Sequence, residues 1–154
     1  MSDTDSQRLA YWHALGTLIS STSGSIKPAP PTENTWISHD IGFTEASLNV
    51  ALVPSTGVVR VEIFMDGDRP HDLFDALRQR RSEIEDEVGR DMVWEEKANV
   101  RRRKIYVMND GFDLRARSTW DRQHSWIRDM VVRFYEVFVP LLRNLPDSIT
   151  GRRI

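Results

Sequence analysis

Four consecutive basic residues are the part of this sequence best suited to binding chemistry. Arg101, Arg102, Arg103 and Lys104 stand where a strand is predicted to begin. Arginine donates two parallel hydrogen bonds to a phosphate and lysine adds a point charge, so this cluster could contact nucleic acid without reading its sequence. A second basic cluster, in residues 78–81, is followed at once by acidic residues and is typical of a solvated helix face. The first cluster is therefore our candidate nucleic-acid-binding site.

Several carboxylates suggest a different chemistry, the binding of magnesium. The segment Asp66-Gly67-Asp68 holds two of them close together, and Glu95-Glu96-Lys97 contains the Glu-x-Lys of restriction-type nucleases. Asp-Gly is also an ordinary way to end a strand, and Asp68 can cap the helix that follows. We therefore expect no metal site. The alternative is a small magnesium-dependent nuclease, whose carboxylates would converge on one ion beside a lysine: Asp66, Asp68, Glu62 or Glu95, with Lys97.

The sequence offers no other constellation typical of catalysis. It contains no cysteine, which excludes disulfides, thiolate metal ligands and cysteine nucleophiles. Its four histidines fall in separate predicted elements without metal-ligand spacing: His13, His39, His71 and His124. It also lacks a Gly-rich phosphate loop and a nucleophile elbow. We expect neither a cofactor nor a catalytic residue.

The composition is that of a folded domain with an uneven charge. With 40% hydrophobic and 29% charged residues, the chain fits one domain over residues 1–154. Residues 1–75 carry a formal charge of −6 and residues 76–154 carry +4. Arginine supplies 18 of the 21 basic residues, which suits phosphate but which a GC-rich genome would also produce. The N-terminus is polar and no apolar run could span a membrane, so we expect a cytoplasmic protein without membrane contact.

Hydrophobic periodicity predicts three helices and five strands. Alternating apolar residues indicate a hairpin formed by residues 46–53 and 58–65, with a turn between them. The other strands are predicted at residues 35–41, 92–96 and 103–108, and the helices at residues 5–20, 69–88 and 119–144. Helix caps are predicted from Thr4 with Gln7, from Asp68, and from Ser118 with Asp121. Pro140 is expected to kink the last helix or end it early.

These elements predict an α+β fold in the order α-βββ-α-ββ-α. A mostly antiparallel five-stranded sheet would be packed by two to three helices on one face. The ordered core is expected over about residues 5–145, with a Ser- and Pro-rich connector at residues 20–35 and a frayed tail from residue 146. The apolar stripes of the helices should meet the sheet in one core, through residues such as Leu73, Ile84, Ile127 and Phe134.

Short motifs in a fixed order carry a resemblance to a known family. They are Tyr11-Trp12, residues 61–64, 74–77 and 83–85, Gly89, residues 92–94 and 103–105, and Trp120. Most of these positions are core residues, and it is their order and spacing over about residues 8–142 that makes the match. In this respect the sequence resembles a bacterial and archaeal family called domain of unknown function 4268.

The resemblance implies a role but no chemistry. Members of the family often follow a nuclease-like domain, and some are labelled as restriction-related. An accessory domain near DNA-processing or phage-defence systems is therefore implied, without catalytic residues. No nuclease-like segment precedes the matching residues in this sequence, so we expect the chain to act alone or with a separate polypeptide.

Three functions follow from these observations. The first is a non-catalytic binding domain, in one form a homodimer, that contacts nucleic acid or a nuclease-like protein and uses residues 101–104 for phosphate. The second is the magnesium-dependent nuclease described above. The third is a protein-interaction domain, such as an inhibitor paired with a toxin, whose acidic first half would be the docking face.

Overall fold

The structure is a computed structural model that describes residues 2–153, so Met1 and Ile154 lie outside the described residues. Within that range the α-helices are α1 Asp3–Thr22, α2 Pro70–Arg78, α3 Arg81–Val88, α4 Trp120–Arg143 and α5 Asp147–Thr150. The strands are β1 Trp36–Asp40, β2 Ser47–Val53, β3 Val58–Met65, β4 Val93–Glu95 and β5 Arg103–Asp110. The predicted α+β fold with a five-stranded sheet is confirmed.

The sheet is antiparallel throughout and has the strand order β1-β2-β3-β5-β4. β2 and β3 form the predicted hairpin, in which Val50 lies opposite Val61. β5 then joins the far side of β3, so that Val107 also lies opposite Val61. The central strand is therefore β3, and the short β4 forms the edge beyond β5.

One face of the sheet is covered by helices. α2 and α4 contact the sheet directly, and α1 packs on α4. Their apolar stripes and the inward-facing strand residues form one buried cluster, in which Leu73, Ile84, Ile127 and Phe134 are fully buried, as predicted. Each large apolar side chain in such a core contributes about 2 kcal/mol through removal from water.

The second helix differs from its prediction, because residues 69–88 form two helices rather than one. α2 ends at Arg78 and α3 begins at Arg81, with the Arg80 backbone outside the helical range at φ −107° and ψ 20°. α2 packs on β3 and β5, whereas α3 packs on α4. The break allows the two apolar stripes to face different neighbours, which one straight helix could not do. The predicted stop at Gly89 is confirmed, since this residue adopts φ 86° after α3.

The predicted helix caps are wrong, although the helices themselves form. α1 begins two residues early and is capped by Ser2 with Asp5 instead of Thr4 with Gln7. Asp68 caps no helix, since α2 starts after Arg69, whose N–H donates to the Glu45 carboxylate at 2.7 Å. A long-range carboxylate thus replaces the local cap, which sequence alone cannot reveal.

The last helix forms within one residue of its predicted bounds, but its predicted cap is wrong and it does not end early at Pro140. A 3-10 turn at Arg117–Thr119 leads into α4, and no side chain caps the helix, so the predicted box of Ser118 and Asp121 is wrong. Pro140 lies inside α4, which continues to Arg143. Phe138 and Leu142 are buried on either side of it, and their packing holds the last turn in place.

The C-terminal segment is tied down rather than frayed. α5 is followed by an isolated bridge between Arg152 and Phe43, and the Thr44 N–H donates to the Gly151 carbonyl at 2.9 Å. Arg153 adds an ion pair with Asp40. The connector is irregular from residue 23 to residue 35, as expected, after α1 has continued to Thr22. Among the described residues, no helix is long and apolar enough to cross a membrane.

Candidate functional site

The face of the sheet opposite the helices is the candidate site, and we call it the open face. It consists of every second residue of each strand, counted from Trp36, Ser47, Val58, Val93 and Lys104. None of the residues on this face belongs to the hydrophobic core cluster, whereas most of their strand neighbours do. The alternation that buries one face of each strand therefore leaves this one uncovered.

The exposed large hydrophobic side chains of the described chain all lie on the open face. Trp36 is 51% exposed on β1, Met108 is 40% exposed on β5 and Val93 is 38% exposed on β4. A solvent-facing side of an antiparallel sheet is normally polar. Three large apolar side chains on one uncovered face are therefore a feature to be explained.

A charged and aromatic cluster occupies the centre of the open face. The Arg60 guanidinium lies 4.5 Å from the centre of the Tyr106 ring, a cation-π contact. Glu62 and Tyr106 lie opposite each other on β3 and β5, and each is at most 5% exposed although no helix covers them. Asn49 on β2 is buried beside Glu62. Neighbouring side chains on the same face thus shield this centre from water.

Two opposite charges in this cluster lack hydrogen-bond partners. Arg60 Nε and Glu62 Oε2 are buried, and neither atom has a partner in the described part of the chain. Burial raises the pKa of Glu62, while the nearby charges of Lys104 and Arg60 lower it and that of Glu95 raises it. Burial likewise raises the pKa of the Tyr106 hydroxyl. An unpaired buried polar atom costs about 1–3 kcal/mol, so these two atoms lower the stability of the domain at the centre of the open face.

The structure separates the four basic residues that the sequence puts together. Arg103 faces the helical side and is buried, and its Nη1 donates to the carbonyl oxygens of Val100, Arg101 and Arg102. Its Nη2 donates to Nδ1 of His71 at 2.7 Å. Arg103 therefore holds the loop before β5 and the start of α2 together through Nη1 and Nη2, while its Nε lies 3.8 Å from a carboxylate oxygen of Glu96.

The other three basic residues point in different directions. Arg101 pairs with Asp66 at 3.0 Å, and Arg102 is exposed. Lys104 lies on the open face, with its ammonium 5.9 Å from the centre of the Phe64 ring. Arg102 and Lys104 remain accessible to phosphate, but Arg103 does not, so the structure forms no single patch from the four side chains.

The carboxylates of the nuclease alternative do not form a metal centre. Asp66 pairs with Arg101, and Glu95 pairs with Lys97 at 3.7 Å. Glu62 and Glu95 share the open face, where Lys104 lies opposite Glu95. Over residues 2–153, no group of three or more acidic or histidine side chains is placed to hold an ion.

Two histidines are part of the core. His39 is buried with Nδ1 3.1 Å from the Leu48 carbonyl oxygen, and burial lowers its pKa. His124 packs edge-on against Tyr11 with ring centres 4.3 Å apart, and burial lowers its pKa to about 4. Both rings are therefore neutral at physiological pH and serve packing.

Sequence reasoning missed Trp36, Val93, Met108 and Tyr106 as candidate functional residues. The signal available was the alternation of the hairpin, which already placed Arg60 and Glu62 on the face away from the core. The alternation could not predict which strand pairs with the other side of β3. That strand is β5, which brings Tyr106 beside Arg60 and Glu62.

Comparison with known protein families gives one match. Residues 7–142 match the family described as domain of unknown function (DUF4268), which is most of the chain. This chain belongs to the DUF4268 family. The matched residues run from α1 to the last turn of α4 and include the whole sheet, so the open face lies within the part that defines this DUF4268 domain.

Two further comparisons found no relatives. No curated protein matches the sequence of this DUF4268 domain, and no solved structure matches its fold.

Proposed function

We propose that this DUF4268 domain is a non-catalytic binding domain that contacts a protein through its open face. The observation that carries the proposal is the location of Trp36, Val93 and Met108, which lie exposed on one uncovered face around the buried charges of Arg60 and Glu62. A protein surface packed on this face would cover the three exposed apolar side chains.

The residue types on the open face are those of protein interfaces. Tryptophan, tyrosine, methionine and arginine are enriched in interface cores, where they contribute much of the binding energy. Trp36, Tyr106, Met108 and Arg60 all face the same side of this sheet. The exposed apolar residues lie towards its edges, and the charged cluster lies between them.

The charge of the open face favours protein over nucleic acid. Its acidic residues are Asp40, Glu62, Glu95 and Asp110, whereas Arg60 and Lys104 are its basic ones. A surface that binds phosphates needs an excess of positive charge, which this face does not have. The basic residues outside it are divided, because Arg103 is buried and Arg101 pairs with Asp66.

The family supplies the setting of the proposal. Members of the family often follow a nuclease-like domain and some are labelled as restriction-related, which supports the proposal that the assembly formed by this domain serves a DNA-processing or phage-defence system. An inhibitor paired with a toxin would use the same kind of surface, and the identity of the bound protein separates the two settings.

Recovery of bound proteins from the native cell tests the proposal. Tagged wild-type protein is compared with a Trp36→Ser, Met108→Ser double variant, and Arg122→Ser on the exposed side of α4 is the matched control. We expect the wild type and the control to recover the same specific protein, and untagged copies of this chain count as such a protein. The double variant should not recover it. Recovery of an identical set from all three would contradict the proposal.

A nucleic-acid arm distinguishes the main competitor. Binding of purified protein to duplex DNA and to single-stranded RNA is measured by fluorescence anisotropy at low salt. We expect no saturable binding. Binding that falls with salt and is lost in an Arg102→Ala, Lys104→Ala variant would instead assign the function to the basic residues.

A further inference from the structure

The open face is self-complementary along its two central strands. The outward residues of β3 are, in order, Val58, Arg60, Glu62 and Phe64, so two opposite charges lie between two apolar side chains. A two-fold axis that lies midway between two facing sheets, parallel to them and nearly perpendicular to β3, crosses the strand halfway between Arg60 and Glu62. It sets each residue against the one equally far along the strand on the other side of the axis. Arg60 then faces Glu62 of a second copy twice, and Val58 faces Phe64 twice.

The neighbouring strand obeys the same relation. The register places Asp110 beside Val58, Met108 beside Arg60 and Lys104 beside Phe64. The same axis therefore sets Asp110 against Lys104 of the second copy, and Met108 against Tyr106. On both strands, each charged residue lies against an opposite charge of the second copy and each apolar residue lies against an apolar one. The outward faces of these strands are therefore complementary to themselves in this arrangement.

We infer that a second copy of this chain is the protein that covers the open face, in a two-fold symmetric dimer with sheet packed on sheet. The inference rests on the proposed function, since it names the occupant of the same face.

The geometry of packed sheets is compatible with this pairing. Two sheets pack about 10 Å apart and cross at about 30°. Measured along the strands, Arg60 and Glu62 lie about 3 Å from the axis, so the crossing angle displaces them little. Lys104 and Asp110 lie about 10 Å from it along β5 and move by about 5 Å. The length of a lysine side chain spans that displacement.

The size of the open face sets the expected affinity. Strands about 4.8 Å apart with a rise of about 3.3 Å per residue give this sheet a flat area of roughly 500 Å². Standard stable interfaces bury about 800 Å² on each partner, so this dimer belongs at the weaker end. We expect a dissociation constant of the dimer in the micromolar range. Trp36 adds contact area at the edge of the sheet.

Reciprocal charge reversal at the outer pair tests the inference. Lys104 is half-buried and Asp110 is exposed, so Lys104→Asp and Asp110→Lys should both leave the monomer folded. Each variant alone brings two pairs of like charges together in a homodimer, whereas a mixture of the two restores opposite charges in a heterodimer. Analytical ultracentrifugation over a range of about 1 µM to 1 mM gives the dissociation constants, and thermal melts check folding.

We expect a wild-type dimer, a dissociation constant at least about tenfold weaker for each variant alone, and recovery in the equimolar mixture. The control Arg122→Asp, exposed on α4, should dimerise as wild type does. A wild type that stays monomeric at every concentration would overturn the inference, as would variants with unchanged affinity or a mixture without recovery. If the wild type is monomeric yet the Trp36 and Met108 substitutions release a different protein from the native cell, the inference fails and the proposed function stands.

Discussion

Arg60 and Glu62 lie two residues apart on the central strand, face the same uncovered side of the sheet, and each bury one polar atom that no described residue bonds. The Arg60 guanidinium lies 4.5 Å from the centre of the Tyr106 ring, and the Glu62 side chain is 3% exposed. Two opposite charges left in this state are costly for an isolated domain.

The buried carboxylate of Glu62 should lower the stability of the isolated domain at neutral pH. Its pKa is raised by burial, so the folded state resists ionisation more than the unfolded chain does. Its contribution is therefore most favourable below the ordinary value of 4.5 and is lost as pH rises through the folded-state pKa. Glu62→Gln should raise the free energy of unfolding by about 1 kcal/mol at neutral pH and by little near pH 4.

Urea unfolding of dilute protein at both pH values checks this prediction. Glu87→Gln, an exposed substitution on α3, is the control and should change stability by less than about 0.5 kcal/mol. A Glu62→Gln variant that is less stable at neutral pH would mean that the ionised carboxylate has a favourable partner within the monomer.

Substitutions of Arg103 and Arg102 should differ sharply in their effect on folding stability, although the two residues are adjacent in sequence. Arg103 holds three loop carbonyls and His71, so Arg103→Ala should cost about 2 kcal/mol of folding free energy. Arg102 is exposed, and Arg102→Ala should change stability by less than about 0.5 kcal/mol. If chemical denaturation gave the two variants equal losses of folding free energy, the loop before β5 would be held by other contacts.

The buried histidine of α4 should make the domain sensitive to mild acid. The pKa of His124 is lowered to about 4 by burial, whereas the unfolded chain has the ordinary value of 6.5. The stability that the neutral ring contributes is present above pH 6.5 and is lost as pH falls towards 4. His124→Phe should flatten the dependence of melting temperature on pH over this interval.

Nuclear magnetic resonance gives the direct check of that histidine. The ring of His124 should remain neutral at pH 5.5, because burial lowers its pKa to about 4. A His124 ring that is already protonated at pH 5.5 in the folded protein would remove the assigned cause of the acid sensitivity.

The C-terminal segment should contribute measurably to stability. Truncation after Leu145 removes buried Thr150, the backbone bond from Thr44 to Gly151 and the ion pair of Arg153 with Asp40. A loss of about 1–3 kcal/mol is expected, because the Thr44 and Glu45 N–H groups lose their acceptors. Unchanged melting of the truncated chain would mean that the segment is frayed after all.

The sequence predicted the fold well wherever local pattern decides it. Alternation along residues 46–65 is enough to give β2, β3 and their register, since a shift by one residue would expose Val59, Val61 and Ile63. The break between α2 and α3 was not predictable, because each half carries a good helical stripe and only their different neighbours separate them.

The candidate site depended on contacts that no local pattern encodes. Tyr106 reaches Arg60 only because β5 pairs with β3 after two helices and β4 have intervened. The burial of Arg103 could have been predicted from the sequence, because Arg103, Ile105 and Val107 are alternate residues that share the inward side of one strand. A dense run of positive charge suggested one patch, whereas the period of the strand divides it.

Oxidation of exposed side chains by hydroxyl radicals tests the central claim most directly. Trp36 and Met108 are compared in dilute purified protein and inside the native cell, with Trp126 on the helical side as the internal reference. If a protein covers the open face, both side chains will be oxidised in the dilute protein and protected in the cell relative to Trp126. Equal oxidation of Trp36 and Met108 in the two settings would contradict the account.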